Sequence, residues 1–345
     1  MSKYLIVGQG LAGTLLAFSL LEKGEEVLIA DDYKHASASK VAAGMWNPIT
    51  FKRLAASWLA KEMLEEMNLT FRKLEEKLQT FFFHTLPVAR IFNSIQDANF
   101  WDEKSDHPEV GRYLSARTNK SVQENFNAPF GNSEVNECGW LNVPLFREAA
   151  LNYFIQHENF IEEAVNENEV EYNGNKVLWK GRTFDKIILC NGIGVNQWRG
   201  LEHLDLIPNH GQVLDLKIEN LELDAIVNFG QFLLPFGNKK FRLGATYNWN
   251  EVPDEPTEEA RDFLLSELKQ RLDKNVFIES HKTGFRPTTR DRRPIVGFSK
   301  DNELLGVFGG LGSKGVLLAP YFAKLFASVL TEGAIIPKEV SAFRF

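Results

Sequence analysis

The chain has 345 residues, 44% hydrophobic and 25% charged, a composition typical of globular proteins that excludes disordered, fibrous and collagen-like classes. Its 39 basic and 46 acidic residues give a formal net charge of −7, which argues against nonspecific binding to nucleic acids or anionic membranes. The two cysteines are too few for a disulfide framework and form no Cys-x-x-Cys zinc motif. At about 150 residues per domain, the length predicts about two domains.

The apolar segments of the sequence favour a cytoplasmic location. No uninterrupted apolar run reaches the ~18 residues of a membrane-spanning helix. The first apolar run, residues 4–7, leads directly into a glycine motif and lacks the order of a signal peptide. We therefore expect a cytoplasmic protein without a membrane partner.

The first elements along the chain predict a βαβ unit. Residues 4–7 form a short apolar strand, and residues 10–23 form a helix that is apolar all round, as a helix buried on both faces would be. Residues 27–30 form a second apolar strand, which ends at Asp31. Two short buried strands joined by a buried helix are typical of a parallel sheet.

The middle of the chain alternates between helical and irregular patterns. Apolar residues at three- and four-residue spacings predict a helix over residues 57–79. Residues 81–137 are irregular and rich in Phe and Asn, which predicts short strands and loops. A helix is expected over residues 144–155, with Pro144 at an early helical position, and a buried strand over residues 184–190.

The last part of the chain predicts antiparallel strands followed by a return to α/β structure. Residues 211–247 indicate antiparallel strands, with a break at residues 235–238. Thr257 opens an amphipathic helix that extends to residue 272. A strand over residues 304–308 then leads, through a glycine-rich loop, into a helix that ends near residue 330.

Together these patterns predict an α/β fold in which two domains are interleaved. The first is a Rossmann-like domain with a parallel sheet and flanking helices, and the second has a mixed or antiparallel sheet. We assign the first domain to residues 1–80, 138–205 and 283–345. The second domain is assigned to residues 81–137 and 206–282.

A Gly-x-Gly-x-x-Gly motif joins the first predicted strand to the first predicted helix. Gly8 permits the tight turn, Gly10 lets a pyrophosphate approach the backbone, and Gly13 allows close packing of helix and strand. The helix N-terminus offers free N–H groups to the phosphates. Asp31 is placed to accept hydrogen bonds from ribose hydroxyls. The motif predicts a dinucleotide site but does not distinguish NAD from FAD.

Seven segments, in order along nearly the whole chain, resemble the D-amino-acid oxidase superfamily of FAD-dependent oxidoreductases, and glycine oxidases in particular. The N-terminal fingerprint alone is unspecific, but its combination with the segments around Arg286 and Gly315 is specific. The matching segments are residues 5–31, 42–45, 139–144, 211–213, 243–246, 283–297 and 310–320.

The resemblance implies an FAD-binding domain that faces a substrate domain, with FAD bound in an extended form. It implies oxidation of the C–N bond of an amino acid or secondary amine to an imine, with a small-molecule amine as substrate. Oxygen is the expected electron acceptor, released as hydrogen peroxide. The sequence has no second strand–Gly-x-Gly-x-x-Gly–helix unit that would hold NAD(P)H.

The residues expected to bind FAD come from the glycine motif, the segment beside the flavin, the end of the central strand and the loop before the last helix. They are Gly8, Gly10, Leu11, Ala12, Gly13, Asp31, Asp32, Lys40, Val41, Ala43, Gly44, Met45, Val165, Asn191, Gly192, Gly312, Ser313, Lys314, Gly315 and Val316.

Three residues are expected to take part in catalysis: Arg286, Lys314 and Tyr247. Arg286 matches the arginine that binds the substrate carboxylate in amino-acid oxidases, which a guanidinium does through two parallel hydrogen bonds; the alternative is an arginine paired with a nearby carboxylate. Lys314 is expected near the pyrimidine end of the flavin, where reduction places negative charge, or in solvent. Tyr247 is expected to line the substrate pocket.

The sequence departs from the family at two further positions. Ser313 stands where glycine oxidases have a second arginine, and Phe232 where a tyrosine commonly assists carboxylate binding. One carboxylate anchor is therefore expected without its usual helpers, so the substrate is larger, carries its acid elsewhere, or is a secondary amine. Trp249 is a second candidate for the pocket wall, although core packing is the preferred interpretation.

Polar residues outside these motifs are given structural roles. Arg290, Arg292 and Arg293 are expected to be surface charges or partners of Asp291. The histidines show no metal-ligand spacing, and we predict no metal site.

Three alternatives stay open. One is a relative of the FAD module of bifunctional tRNA wobble-uridine modification enzymes, which oxidises a carboxymethylaminomethyl group. The acidic net charge and the lack of a methyltransferase module in the chain argue against it. The others are a nonenzymatic FAD-binding protein and an NAD-dependent dehydrogenase. The sequence leaves the substrate, the electron acceptor, the mode of flavin attachment and the oligomeric state open.

Overall fold

The computed structural model describes residues 1–33, 38–204, 206–249 and 255–344. A six-stranded sheet contains the predicted βαβ unit. Its strands are parallel to their neighbours, except that the edge strand β20 is antiparallel to β21. In spatial order the strands are β10 (Phe160–Ile161), β2 (Glu26–Ala30), β1 (Lys3–Val7), β14 (Lys186–Leu189), β21 (Leu305–Gly309) and β20 (Ile295–Phe298).

Both faces of this sheet are covered. On one face lie α1 (Leu11–Glu22), α3 (Ala60–Leu78), α6 (Val143–Gln156) and α8 (Gly315–Glu332), whose apolar residues share one core with the sheet. The other face packs against a small antiparallel sheet of β11 (Val170–Asn173), β12 (Lys176–Trp179) and β13 (Arg182–Phe184). Burial on both faces explains why β1 and β2 are apolar at almost every position.

Helix α8 is long and apolar enough to cross a membrane by length and composition alone. Half of that stretch is buried inside the protein, where α8 packs against α1 and α3. A core helix of a globular domain meets the same length and composition criteria and is mostly buried. The cytoplasmic location stays a prediction.

A second, seven-stranded sheet is mainly antiparallel, with one parallel pair between β16 and β7. Helix α7 (Glu258–Lys269) packs against it, and Thr257 caps this helix by accepting a hydrogen bond from the Ala260 amide, as its position before two glutamates predicts. The strands in spatial order are β19 (Val276–Thr288), β15 (Ile207–Ile218), β18 (Lys240–Gly244), β17 (Phe232–Gly237), β16 (Ile226–Asn228), β7 (Val88–Ile91) and β8 (Asn132–Val135).

Short elements lie between the two large sheets. The segment after α2 (Ala38–Val41) enters a three-stranded sheet, in which β9 lies between β3 and β6. A small hairpin follows in the chain. The remaining elements are β3 (Met45–Trp46), β4 (Ile49–Thr50), β5 (Ala55–Ala56), β6 (Phe83–Thr85), β9 (Gly139–Leu141), α4 (Ile95–Ser105) and α5 (Lys120–Asn125).

The predicted fold class is confirmed: parallel and antiparallel sheets are combined in one α/β structure. The short strands and loops predicted over residues 81–137 are present as β6, β7 and β8 and their connections, but two helices, α4 and α5, were missed there. Each has a side-chain cap, Ser94 for α4 and Asn119 for α5, but α4 buries only Trp101, so no apolar stripe marks it in the sequence.

Two further points concern boundaries. The predicted break at residues 235–238 is displaced, because Pro235 lies within β17 and the turn is made by Asn238 and Lys239, both with positive φ. The predicted division into two domains stays a prediction. Its boundary at residue 283 falls inside β19, which pairs along its length with β15.

Candidate active site

A cavity of about 720 Å³ lies between the two large sheets. On one side it is lined by the carboxyl ends of β1, β2 and β14 and by the loop after β21. On the other side it is lined by residues of β15, β18 and β19. Ligands of open parallel sheets bind outside the carboxyl ends of the strands, which is where this cavity lies.

The three glycines of the motif have different surroundings. A Cβ atom on Gly13 would lie 2.0 Å from the Gly8 carbonyl oxygen, so helix α1 and strand β1 approach too closely for any side chain there. Gly8 has a φ of 103°, which favours glycine, and its N–H donates to the Ala30 carbonyl oxygen (2.8 Å). A Cβ on Gly10 would meet only Ser39 Oγ, at 3.5 Å. Gly10 therefore leaves space open towards the cavity.

The N-terminus of α1 is suited to an anion. The helix has no side-chain cap and no acidic residue in its first turn, and Leu11 and Ala12 line the cavity. The Leu11 amide donates to Ser39 Oγ (3.2 Å). The first-turn amides of a helix have no partners within the helix, and together with the helix dipole they favour negative charge.

Asp31 is fixed at the end of β2 by two backbone amides. Its carboxylate accepts from the amides of Gln9 (2.7 Å) and Tyr33 (2.8 Å), and it lines the cavity together with Asp32. Each carboxylate oxygen has a further lone pair with which to accept from a ribose hydroxyl. Lys40, also on the cavity wall, donates to the Tyr33 carbonyl oxygen (2.5 Å).

Arg147 is a cavity residue that the sequence did not single out. It lies on the buried face of α6, and it donates from Nε to the Gln9 carbonyl oxygen (2.9 Å) and from Nη2 to Gln9 Oε1 (3.2 Å). Burial lowers the pKa of Arg147, with Tyr33 and Asp31 acting in the opposite direction. A charged residue among the apolar positions of a predicted helix was the signal available in the sequence.

The segment before β3 runs along the cavity and is held tightly from behind. Gly44 has a φ of 69°, and a Cβ there would lie 1.9 Å from the Leu141 carbonyl oxygen, so only glycine fits. The Leu141 amide donates to the Gly44 carbonyl oxygen (3.0 Å). The predicted residues Val41, Ala43 and Met45 line the cavity here.

The predicted residues at the adenosine end also reach the cavity. Val165 lies on its wall, and Asn191 and Gly192 follow strand β14. The Asn191 Oδ1 atom has no hydrogen-bond partner among the described residues, but it is closed off from the cavity, so this oxygen is not itself a ligand contact.

A second uncapped helix N-terminus opens onto the same cavity. Helix α8 has no side-chain cap and no acid in its first turn, and Gly312, Ser313, Gly315 and Val316 line the cavity. Gly312 has a φ of 53°, so the loop turns sharply before the helix begins. This end of α8 favours negative charge for the same reason as the start of α1.

Lys314 lines the cavity, but its amino group is bound to the protein. Nζ donates to the Ile49 carbonyl oxygen (2.9 Å) and to Ser57 Oγ, which ties the start of α8 to the β4–β5 hairpin. The side chain is not solvent-facing, which was one of the two expectations. Burial lowers the pKa of Lys314 to about 8, and Cys138 acts weakly in the opposite direction.

Arg286 lies on β19 at the other end of the cavity. Its Nη1 donates to Asn209 Oδ1 (2.8 Å) and to the Thr246 carbonyl oxygen (3.3 Å), while Nε and Nη2 donate to no residue in the described part of the chain. A Cβ on Gly211 would lie 2.2 Å from Nη2, so the guanidinium rests directly on this glycine. Burial lowers the pKa of Arg286.

Arg286 forms no ion pair with a described carboxylate, so the alternative interpretation as a structural ion pair finds no partner there. Its Nε–Nη2 edge carries the two parallel N–H groups that fit a carboxylate. Asn209, only 1% exposed, holds the opposite side of the guanidinium. This contact was not predictable from the sequence, because it joins residues 77 positions apart.

Aromatic side chains surround Arg286. The Tyr247 ring centroid lies 4.3 Å from Arg286 Cζ, within the range of a cation–π contact, and Tyr247 is 61% exposed. Phe232 also lines the cavity. The preferred interpretation of Trp249 as a core residue is wrong, because it is 53% exposed; it follows β18 in an irregular segment rather than a packed strand.

Of the nearby arginines, Arg290 and Arg292 are exposed, as expected of surface charges, whereas the expected partners of Asp291 are replaced by another residue. Asp291 pairs with Arg344 (2.8 Å) rather than with the side chains of Arg292 or Arg293, and Arg293 lies over the Trp58 ring. The reason is that Arg344, at the far end of the chain, folds back onto this loop. In the part of the chain that the structure describes, no cluster of His, Cys, Asp or Glu has the arrangement of a metal site.

The residues of the cavity fit an extended dinucleotide. Gly10 leaves room for a pyrophosphate beside the uncapped start of α1, and Asp31 is fixed at the end of β2, where a ribose would lie. The far end, at the start of α8 and beside Arg286, has space for a ring system and a small substrate.

Comparison with known proteins gives a family match over most of the chain. The family model described as FAD dependent oxidoreductase (DAO) matches residues 3–329. The tRNA 5-methylaminomethyl-2-thiouridine biosynthesis bifunctional protein MnmC of Marinobacter nauticus is 25% identical over 350 residues, covering 93% of this chain and 54% of that protein. The chain spans about half the length of the curated relatives it matches.

Solved structures share the fold. Iminodiacetate oxidase from a Chelativorans species gives a TM-score of 0.79 at 18% identity, with 98% of each chain covered. Glycine oxidase from Geobacillus kaustophilus gives a TM-score of 0.80 at 17% identity, covering 97% of this chain and 96% of that one. At these identities the similarity is one of fold.

Proposed function

Because the chain belongs to the FAD-dependent oxidoreductase (DAO) family, we propose that it oxidises the C–N bond of an amine that carries a carboxylate. The substrate is an amino acid or a secondary amine. FAD as the cofactor and oxidoreductase as the class of enzyme follow from the family. The family match also confirms the resemblance found in the sequence.

The observation that supports this substrate class is the free edge of Arg286. Arg286 is half-buried on the cavity wall, and its Nε and Nη2 groups donate to no described residue. A guanidinium withdrawn from water without a carboxylate partner is costly. A substrate carboxylate would supply the missing charge and fix the carbon next to the nitrogen. Tyr247 and Phe232 would close the pocket around the remainder of the substrate.

The chain contributes binding and electrostatics to the reaction. When bound, FAD supplies a two-electron acceptor for the hydride that leaves the carbon next to the substrate nitrogen. With the pyrimidine end of FAD at the start of α8, this helix N-terminus would favour the negative charge that reduction places there and so would assist the transfer. The nitrogen gives up its proton to form a neutral imine, and added water cleaves the imine to a carbonyl compound and an amine. Oxygen taking up two electrons and two protons, as hydrogen peroxide, is part of the proposal.

The test is the anaerobic absorbance of the purified, FAD-loaded protein during addition of glycine, sarcosine, D-amino acids and larger N-substituted glycines. We expect at least one of them to bleach the flavin band near ~450 nm, and air to restore it. A flavin that stays oxidised with every carboxylated amine would contradict the proposal.

A second candidate substrate is a carboxymethylaminomethyl group carried on a tRNA uridine. It is favoured by the exposed Tyr247 ring against Arg286 and by the exposed Trp249 two residues further along the chain, because exposed aromatic rings offer a surface on which bases stack. The name of the curated relative concerns biosynthesis of 5-methylaminomethyl-2-thiouridine in tRNA. Mass analysis of tRNA nucleosides from a deletion strain separates the two candidates: accumulation of the carboxymethylaminomethyl nucleoside supports the tRNA substrate, and unchanged tRNA excludes it.

A further inference from the structure

Burial lowers the pKa of three arginines, Arg90, Arg147 and Arg286, and none of them forms an ion pair with a described residue. Arg147 and Arg286 line the cavity directly. Arg242, which is more deeply buried than Arg90, is paired with Asp215. Arg90 is half-buried, and a guanidinium withdrawn from water without a carboxylate partner is costly, so Arg90 calls for an explanation.

Arg90 lies directly behind the wall of the cavity at its substrate end. It is on β7, in register with Asn228 on the neighbouring parallel strand β16, and its Nη1 donates to Asn228 Oδ1. Arg90 Cζ lies 6.0 Å from the ring centroid of Phe51. Asn228 and Phe51 both line the cavity.

The contact with Arg90 determines what Asn228 offers to a ligand. With Oδ1 occupied by the guanidinium, the amide is oriented so that its NH₂ group remains available, and Nδ2 donates to no described residue. The positive charge behind it polarises this donor. Asp97 raises the pKa of Arg90 from a distance but forms no ion pair with it, and its carboxylate accepts from the Asn93 amide (3.1 Å).

We propose that Asn228, oriented by Arg90, is a second acid-recognising group, and that the preferred substrate is an amine with two acidic groups, one held by Arg286 and the other by Asn228. The amine nitrogen lies between the two acids. This inference rests on the proposed function and specifies its substrate. In it, Asn228 is the contacting residue and Arg90 is a positioning residue.

The experiment compares two thioethers that resemble substrates but contain no amine to oxidise. (Methylthio)acetate has one carboxylate and thiodiacetate has two; each is titrated into the FAD-loaded protein, and Kd is read from the change in the flavin spectrum. We expect the wild type to bind thiodiacetate about tenfold or more tightly than (methylthio)acetate, as one charge-assisted hydrogen-bond pair implies. Equal affinities would overturn the proposal.

Variants of Arg90 and Asn228 test whether these residues cause the preference for thiodiacetate. Arg90→Met and Asn228→Ala should bring the two Kd values to within about twofold, and Asn228→Asp, which adds a negative charge, should reverse the preference. Arg182→Met, on an exposed strand of the small sheet, is the matched control and should keep it. Asn228→Ala and Asn228→Asp keep the test decisive if Arg90→Met does not fold. A preference that survives both Asn228 variants would overturn the assignment.

The two proposals fail differently. If sarcosine bleaches the flavin but iminodiacetate has no lower KM, only the second acid-recognising group is refuted. If no amine bleaches the flavin, the oxidase function is refuted, while the thioether titrations still report whether the cavity recognises two acids.

Discussion

Arg286 is held so that one edge of its guanidinium stays free. Asn209 and the Thr246 carbonyl oxygen take both protons of Nη1, Gly211 leaves room for the plane, and Tyr247 lies against it. The position of Arg286 was predictable from its motif. Its partners were not, because they come from other strands and the sequence carries no sign of which residues face it.

A negative charge introduced at position 209 should lower the affinity for carboxylates, because Asn209 accepts a hydrogen bond from Arg286. Asn209→Asp places a carboxylate on Nη1 and neutralises the anchor, so KM for a carboxylated amine should rise by about tenfold or more. Asn209→Ala removes one hydrogen bond but leaves the positive charge of Arg286 available to the substrate, so the rise in KM should be smaller. Steady-state kinetics with each variant checks this, with FAD content as the control for folding. Equal KM values for the two variants would contradict this role.

Lys314 should make stability depend on pH. Its pKa is about 8 in the folded protein, below the value of 10.5 for an unburied lysine, because burial disfavours the charged form. Below both values the proton is bound in both states; between them only the unfolded chain keeps it, so the free energy of unfolding rises with pH in this window.

The matched variant is Lys314→Met. Between about pH 7.5 and pH 9.5, the free energy of unfolding of the wild type should gain about 1–2 kcal/mol relative to the variant. Urea unfolding at several pH values measures this difference. A difference that does not change with pH would show that Lys314 keeps an ordinary pKa.

At the scale of elements, two helix N-termini meet one cavity. Helices α1 and α8 both lack a side-chain cap and first-turn acids, and both follow glycine-rich turns at the carboxyl ends of parallel strands. These elements were predictable, since apolar runs and glycine turns are local signals. Helix α4 was not, because it buries a single large side chain and leaves no periodic pattern.

Substitutions at Gly10 and Gly13 should have different effects, the first on cofactor binding and the second on the stability of the fold. Gly10→Ala meets only Ser39 Oγ at 3.5 Å, so the apoprotein should unfold at an unchanged temperature, while the affinity for FAD falls by about tenfold or more because the methyl group faces the pyrophosphate position. Gly13→Ala collides with the Gly8 carbonyl oxygen and should lower the melting temperature itself. Thermal unfolding of the apoproteins and FAD fluorescence titration give the two readings. Loss of stability in Gly10→Ala would contradict this division.

At the scale of the whole molecule, both large sheets line the cavity, and Arg242 links the seven-stranded sheet to the segment between α2 and β3 that runs along it. From β18 its Nε donates to Asp215 Oδ1 (2.6 Å), and its Nη1 donates to the Ala42 carbonyl oxygen (3.1 Å) beside the cavity. Lys282 also donates to Asp215 (2.7 Å). Burial alone would raise the pKa of Asp215, but the hydrogen bonds from Arg242 and Lys282 outweigh it and lower the pKa to about 2.

The two cations on Asp215 should differ in their contribution. Arg242→Met leaves a buried carboxylate short of its main partner and should cost about 3–5 kcal/mol of stability and weaken FAD binding. Lys282→Met removes a cation with a 41% exposed side chain and should cost about 1 kcal/mol or less. Denaturant unfolding and FAD titration measure both. Similar losses in the two variants would contradict the role of Arg242 as the link.

More of the architecture than of the site could be predicted from the sequence. The fold class and the cofactor could be inferred because the family motifs are local and ordered along the chain. The pairs Arg147–Gln9 and Arg90–Asn228 each join residues 138 positions apart. Neither arginine belongs to a motif, and such contacts exist only once distant parts of the chain have folded together.

The most direct test of the central claim is a paired titration of wild type and Arg286→Met under anaerobic conditions. Sarcosine and dimethylamine differ by one carboxylate, and the rate of flavin bleaching is followed with each. We expect sarcosine to reduce the wild type faster, and Arg286→Met to lose that advantage by about tenfold or more while it still binds FAD. Equal rates for sarcosine in the two proteins would contradict the assignment of Arg286 as the carboxylate anchor.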